Sequence, residues 1–373
     1  MKIKFNDTFK SINNLDYFDD LFSNYDFFRA KKYSLLALEI LKKRFVNSDL
    51  WLTHSATGAL EMIAKAINIQ ENDEIILASF TFVSTANAFV NHGAKPIFVD
   101  ISETDFNLDI SKIEEKITPK TKAIVITHYG GHATDLDKLK HICQKHNLYL
   151  IEDAAMAYGN FHNEKPLGTI GDFAVISFDI TKQISAIQGG LLINNRPEFS
   201  EKFDAIYHIG TDRTQFMKHN KPYYEWVSVG SKYQMNELNA AALYDNLLHE
   251  TEILNKRNSL SNAYFGQLNE LSERGISMLP KEKTAQNVHL FYLLLPTRKE
   301  RDKLMNFLKN KGIETLFHYI PLHNSTMGKK YGTVDLPVTT SISERLLRLP
   351  LHCQLSNEDI DYVCNTIKTY WNA

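Results

Sequence analysis

Along the first two-thirds of the chain, short runs of branched and aromatic residues alternate with stretches whose apolar positions recur every three or four residues. The runs at 74–78, 96–100, 123–127, 148–152, 173–178 and 190–193 are apolar almost throughout. That is the mark of strands covered on both faces. Between two of them, Leu136, Leu139, Ile142 and Cys143 fall on one helical face behind Thr134 and Asp137, which read as a capping pair. Strand and helix in alternation predict an α/β large domain whose mixed, mainly parallel sheet is flanked by helices.

Past residue 250 the pattern changes. A long polar helical stretch runs through Glu273, followed by a strand-like run at 288–295. Thr297 and Glu300 form a capping box ahead of the apolar stripe Leu304, Phe307 and Leu308, and Gly312 stops that helix before 313–319. Ser356 opens a last amphipathic helix through Ile360, Val363, Cys364 and Ile367. A smaller α+β C-terminal domain follows from this. The predicted division is an N-terminal segment, 1–30, packing on the small domain, then the large domain at 31–250 and the small domain at 251–373.

Composition narrows the classes of function. With 373 residues, 43% of them hydrophobic, the chain can bury large cores. Its 42 basic and 44 acidic residues leave a formal charge of −2, so no electrostatic footprint points to nucleic acid or an anionic membrane as partner. The apolar stretches are too short to span a bilayer, and the first seven residues lack the apolar core of a signal peptide, so a cytoplasmic location is expected. Three cysteines, Cys143, Cys353 and Cys364, form no CxxC pair; they read as reduced packing residues, and no metal site is expected.

The chemistry lies in four places. Asp153 closes the apolar run Leu150-Ile151-Glu152-Asp153, where ligand-facing groups sit in open α/β sheets. Lys182 ends Ser177-Phe178-Asp179-Ile180-Thr181-Lys182, ahead of Gly189 and Gly190, whose lack of side chains permits close backbone approach. A lysine that forms a Schiff base and an acid that holds a pyridinium nitrogen are what pyridoxal 5'-phosphate chemistry requires. His54-Ser55-Ala56-Thr57-Gly58 precedes a helix carrying Leu60, Ile63, Ala64 and Ile67, a phosphate cradle or else an ordinary N-cap by Ser55 or Thr57. Phe82 is a ring to stack on a planar cofactor or else a core aromatic, and Ser177 can add a hydroxyl to the same phosphate.

Together these pieces resemble the sugar-nucleotide aminotransferase family of the DegT/DnrJ/StrS type, within the fold-type I pyridoxal phosphate enzymes, from about residue 45 to the end. Within the family the chain is most similar to transaminases that make dTDP-4-amino-4,6-dideoxygalactose. That similarity runs through Ser84-Thr85-Ala86-Asn87-Ala88-Phe89-Val90, Gly210-Thr211-Asp212-Arg213-Thr214-Gln215-Phe216 and Gly230-Ser231-Lys232-Tyr233-Gln234-Met235. It continues through His318-Tyr319-Ile320-Pro321-Leu322-His323 and Ser343-Glu344-Arg345-Leu346-Leu347-Arg348-Leu349-Pro350. The resemblance implies Lys182 as the Schiff-base lysine, Asp153 under the pyridine nitrogen, Phe82 on the ring, and Ala56, Thr57 and Ser177 around the phosphate. It also implies a homodimer with shared active sites, the segment at Lys232 reaching the neighbour's phosphate, and Arg213, Tyr319 and His323 near the sugar nucleotide.

Three positions depart from the family pattern. Met156 stands where the family has a Gln that bonds the cofactor's phenolic oxygen, and a thioether donates no hydrogen bond. Asp179 replaces a His, and Gln188 a Glu. The reaction implied is transfer of an amino group from L-glutamate to a keto-6-deoxy nucleotide sugar, dTDP-4-keto-6-deoxyglucose in the first place. The 3-keto isomer and a pyridoxal phosphate-binding regulator without turnover are the alternatives. A nicotinamide-dependent oxidoreductase would need a G-x-G-x-x-G after its first strand, which is missing.

Overall fold

A computed structural model describes residues 2–9, 14–24, 31–278, 280 and 287–372. Its centre is a seven-stranded sheet of β1 (Asp49–Thr53), β2 (Glu74–Ala78), β3 (Lys95–Val99), β4 (Thr121–Thr127), β5 (Tyr149–Asp153), β6 (Phe173–Ser177) and β7 (Gly190–Asn194). The order is β1-β7-β6-β5-β4-β2-β3. The neighbouring pairs from β3 to β6 are parallel; β7 runs antiparallel to both β6 and β1. Every residue of β2, β6 and β7 is buried, as strands covered by helices on both faces must be.

Six strands fall within two residues of the runs predicted from hydrophobicity, and β1 was not predicted. Its apolar run, Leu50, Trp51 and Leu52, is only three residues long, so periodicity alone does not separate strand from helix there. The helix Leu136–His146 buries the predicted face, but its cap is Asp135, whose carboxylate accepts from the Lys138 amide at 3.0 Å. Thr134 is therefore not the cap, and Asp137 instead accepts from Asn163 at 2.9 Å.

Beyond the sheet, the helix Glu250–Leu268 leads to a three-stranded antiparallel sheet of β8 (Ser277–Met278), β9 (Phe291–Leu294) and β10 (Leu346–Leu349), with the helices Arg298–Asn310 and Asn357–Asn372. The run predicted at 288–295 is a strand only over β9. Its first residues are diverted: Val288 N donates to Asn258 Oδ1 (3.0 Å), and Arg257 takes the carbonyls of Val288 (3.4 Å) and His289 (2.6 Å). Both caps expected here are made, Thr297 accepting from the Glu300 amide and Ser356 from that of Asp359.

Of the predicted N-terminal segment 1–30, residues 1, 10–13 and 25–30 lie outside the described residues. Residues 2–9 run along the C-terminal part, Ile3 exchanging backbone bonds with Gly312 O (2.8 Å) and Glu314 N (2.9 Å). The helix Asn14–Ser23 packs instead on Glu237–Leu248, with Tyr17 edge-on to Tyr33 and Tyr244. Among the described residues no helix is long and apolar enough to cross a membrane.

Candidate active site

The carboxyl ends of the parallel strands open into a cavity of about 580 Å³. Its wall brings together Ala56, Thr57, Phe82, Asp153, Met156, Ser177, Lys182 and Tyr319, drawn from sequence positions far apart. Sheet register explains part of this. Thr127 and Asp153 are paired at the ends of β4 and β5, and Asp153 is paired in turn with Val175 of β6.

Asp153 is buried and its carboxylate is held from behind. Oδ2 accepts from Thr85 Oγ1 at 2.6 Å and Oδ1 from the Ala155 amide at 3.2 Å. The remaining lone pairs of both oxygens are available to the cavity. Lys182 follows β6 on a turn that Asp179 closes, accepting from Thr181 N and Oγ1. Burial pushes the Lys182 amine down to about 8; Asp153 opposes that fall and Arg348 adds to it. An amine so placed is a ready nucleophile near neutral pH.

The helix Ala56–Ala66 starts at the cavity. Ser55 is its cap, accepting from the Gly58 amide at 3.0 Å, which leaves first-turn amides with no partner inside the helix. Gly190 sets the position of this end: a Cβ there would lie 2.4 Å from Ala56 N and 2.5 Å from the Ser55 carbonyl carbon. The glycine is thus required by close backbone approach rather than by a turn. Thr57 Oγ1 donates to Ser84 Oγ at 2.8 Å. Ser177 Oγ reaches the cavity from β6. An anion cradle, an amine and a carboxylate on one cavity wall, with the largely exposed Phe82 ring beside them, fit the groups of pyridoxal phosphate one by one.

Three predicted residues lie elsewhere. His323 is buried against the end of β2, its Nδ1 2.7 Å and its backbone amide 2.9 Å from Ser79 Oγ, so it does not line the cavity. Arg213 sits over the Tyr224 ring at 6.0 Å, and exposed Lys232 pairs with His208 in an isolated bridge; neither lines the cavity of its own chain. Conversely Met156, Asp179 and Gln188, the three departures from the family pattern, all do.

The wall also holds residues with no predicted role: Phe5, Asn6, Thr85, Arg257, His289, His318 and Arg348. Burial holds His289 and His318 well below the ordinary histidine range, and the cations Lys182 and Arg348 reinforce this, so both imidazoles are neutral. Burial pushes Arg257 down to about 10. A signal for the arginines was present, since each interrupts an apolar pattern, Arg257 between Leu254 and Leu260 and Arg348 between Leu347 and Leu349.

Comparison with known proteins agrees with this geometry. Residues 43–368 match the model of the DegT/DnrJ/EryC1/StrS aminotransferase family. The spore coat polysaccharide biosynthesis protein SpsC of Bacillus subtilis is 31% identical over 84% of this chain and 83% of its own. GDP-perosamine synthase of Escherichia coli O157:H7 is 30% identical over 85% and 84%. The fold superimposes on Helicobacter pylori PseC, an aminotransferase involved in the biosynthesis of pseudoaminic acid, with a TM-score of 0.88 at 22% identity, covering 100% of both chains. The chain therefore belongs to the DegT/DnrJ/EryC1/StrS aminotransferase family and is a pyridoxal phosphate-dependent sugar aminotransferase.

Proposed function

We propose that the protein transfers the amino group of L-glutamate to a keto-6-deoxy nucleotide sugar, dTDP-4-keto-6-deoxyglucose being the favoured acceptor, and so makes a dTDP-amino-dideoxyhexose for surface polysaccharide. The observation that carries the reading is Lys182 and Asp153 on the wall of one cavity, beside the open end of a helix. The relatives named for GDP-perosamine synthesis and for spore coat polysaccharide support a nucleotide-sugar acceptor and a polysaccharide destination.

When bound, pyridoxal phosphate supplies an aldehyde for amines and a ring that accepts electrons from the carbon losing its proton. In this reading Asp153 keeps the ring nitrogen protonated through its carboxylate, which Thr85 and the Ala155 amide hold in place. Ala56 and Thr57, with Ser177 Oγ, bind the phosphate, and Phe82 covers one face of the ring. Lys182 Nζ is first the nucleophile and then, released by the donor, the base that moves a proton to and from the substrate carbon. Tyr319, whose hydroxyl burial holds well above the ordinary tyrosine range, keeps its proton and is a hydrogen-bond donor to the sugar. Met156 lines the cavity without a donor of its own; its carbonyl accepts from Gln183 Nε2 at 3.3 Å.

The working unit in this reading is a homodimer. Trp226 and Val229, between Arg213 and Lys232 in the chain, are large apolar side chains left exposed, as are Ile180 and Ile187 on either side of Lys182. A second copy covering them would place those two cations at its neighbour's site, Lys232 toward the cofactor phosphate and Arg213 toward the sugar nucleotide.

A second reading concerns regiochemistry. Because Met156, Asp179 and Gln188 all face the cavity, the altered wall also suits a dTDP-3-keto-6-deoxyhexose. Incubating the enzyme with L-glutamate and a panel of 3-keto and 4-keto dTDP-sugars, with product analysis by NMR, separates the two. Purified protein without visible cofactor absorbance, or a Lys182→Ala variant that still turns over, would overturn the mechanism. Intact absorbance with no acceptor consumed would favour a non-catalytic, pyridoxal phosphate-binding regulator.

A further inference from the structure

Arg348 is a cavity residue to which the reading above gives no role. It lies on β10, in the small sheet, whereas Ala56 and Thr57 belong to the helix that follows β1 of the large sheet. Its guanidinium is oriented from two sides. Nη1 donates to Nε2 of His318, a neutral ring stacked on Tyr319 at 4.0 Å. Because arginine only donates, His318 Nε2 is the acceptor, and its Nδ1 carries the hydrogen, 3.5 Å from the Tyr129 hydroxyl. The second constraint is the Phe5 ring, whose centroid is 4.9 Å from the guanidinium carbon. Phe5 is fixed in turn, its amide donating to Glu314 at 3.1 Å.

The fork is held but not neutralised. Among the described residues no carboxylate pairs with it. Nε is buried without a hydrogen-bond partner. Arg257 differs, since its guanidinium is occupied by the carbonyls of Val288 and His289. A partly buried, oriented guanidinium with a buried Nε left without a partner is costly in a folded chain, and an anion delivered into the cavity removes that cost. Planar bidentate acceptors, carboxylates above all, match the fork.

Position selects which anion. Arg348 is close enough to Lys182 for its charge to act on the amine. In an α-amino acid the carboxylate is on the carbon next to the nitrogen, so an amino group presented where Lys182 reacts carries its carboxylate alongside. In a nucleotide sugar the diphosphate is separated from the keto carbon by the sugar ring. We propose that Arg348 is the receptor for a carboxylate of the amino donor, with His318 and Phe5 as positioning residues that aim its guanidinium. This rests on the transamination proposed above.

The test is calorimetric titration of glutarate, a dicarboxylate with no amino group, into cofactor-free protein. Wild type binds glutarate, and Arg348→Gln weakens binding at least about thirtyfold. Arg348→Lys, which keeps charge but not the fork, falls between them and serves where the Gln variant does not fold. Phe5→Ala weakens binding about three- to tenfold, and Phe5→Trp restores it. In turnover, Arg348→Gln raises the KM for L-glutamate and leaves that for the sugar nucleotide unchanged. Equal glutarate affinity in wild type and Arg348→Gln overturns the inference, as does inorganic phosphate binding that depends on Arg348 as strongly. Absent cofactor absorbance in the wild type would strike the transaminase reading instead, because the titration needs no cofactor.

Discussion

Thr85 Oγ1 lies 2.6 Å from Asp153 Oδ2, and a threonine hydroxyl has one hydrogen to give. That hydrogen goes to the carboxylate, so Thr81, 3.0 Å away, donates to Thr85, and Thr127, 2.8 Å from Thr81, donates to Thr81. A one-way file of hydroxyls from β4 therefore ends on Asp153. A hydrogen bond to a charged acceptor is worth about 1.5–3 kcal/mol. Thr85→Val keeps the shape and removes the bond, and is expected to lower kcat about ten- to a hundredfold with little change in melting temperature. Thr85→Ser retains most activity. Steady-state kinetics with thermal melts checks both; unchanged kcat in the Val variant would show that the file only packs.

Much of this cavity was legible from the residues alone, because Lys182, Asp153, Phe82 and Ser177 each lie at or shortly after a strand end that hydrophobic runs reveal, and the Ala56-Thr57 helix end shows as a polar run ahead of an apolar helix. What stayed hidden depends on contacts remote in sequence. Arg348 and His318 meet only because Leu316 and Arg348 pair across an isolated bridge. His323 is four residues from Tyr319 in the run 318–323, yet its partner Ser79, just past the end of β2, turns it out of the cavity wall. Capping shifted by one residue for a local reason: Asp135 offers a carboxylate where Thr134 offers a hydroxyl.

Lys182 makes folding depend on pH in a definite direction. Its amine is lowered by burial from 10.5 to about 8, so between those values the unfolded chain binds more protons than the folded one. Stability of the cofactor-free protein therefore rises with pH across that window, and the penalty is fully present below about 8. Lys182→Met removes the charge at similar volume. It is expected to be more stable than wild type by about 1–3 kcal/mol at pH 7, the gap closing toward pH 10.5. Urea denaturation of both cofactor-free proteins across this range measures the gap, and a gap independent of pH would mean that the amine stays solvated.

Gly190 and Gly266 predict opposite responses to the same change. An alanine Cβ at 190 meets Ala56 N at 2.4 Å, and the obstacle is backbone, which moves only if the helix end moves. Gly190→Ala should cost about 1–3 kcal/mol and weaken cofactor binding more than about tenfold, because the anion cradle shifts. At 266, exposed on the helix Glu250–Leu268, nothing lies within 4 Å of the added carbon. Gly266→Ala should raise stability by about 0.5–1 kcal/mol through helix propensity alone. Thermal melts and cofactor titration of the two variants check this, and equal cofactor affinity in both would sever Gly190 from the cradle.

Glu152, beside the cavity acid in sequence, points to the other face of β5 and holds the fold. It is fully buried; Oε1 accepts from the amides of Ile170 (2.8 Å) and Gly171 (2.7 Å), and Oε2 from Gly168 N (2.9 Å), with His128 Nε2 at 2.9 Å. Burial alone would push its pKa up, but His128 and the amides outweigh it and leave the carboxyl below its ordinary value. The stability it supplies is therefore present above the ordinary carboxylate pKa and is lost as pH falls through the lower folded value. Glu152→Gln turns an NH2 toward groups that donate, and should cost about 3–5 kcal/mol at pH 7. Denaturation at pH 7 and at successively lower pH should show that cost shrinking as the wild-type carboxylate takes up its proton. A cost constant into acid would mean that shape at residue 152, and not its charge, holds the 168–171 loop.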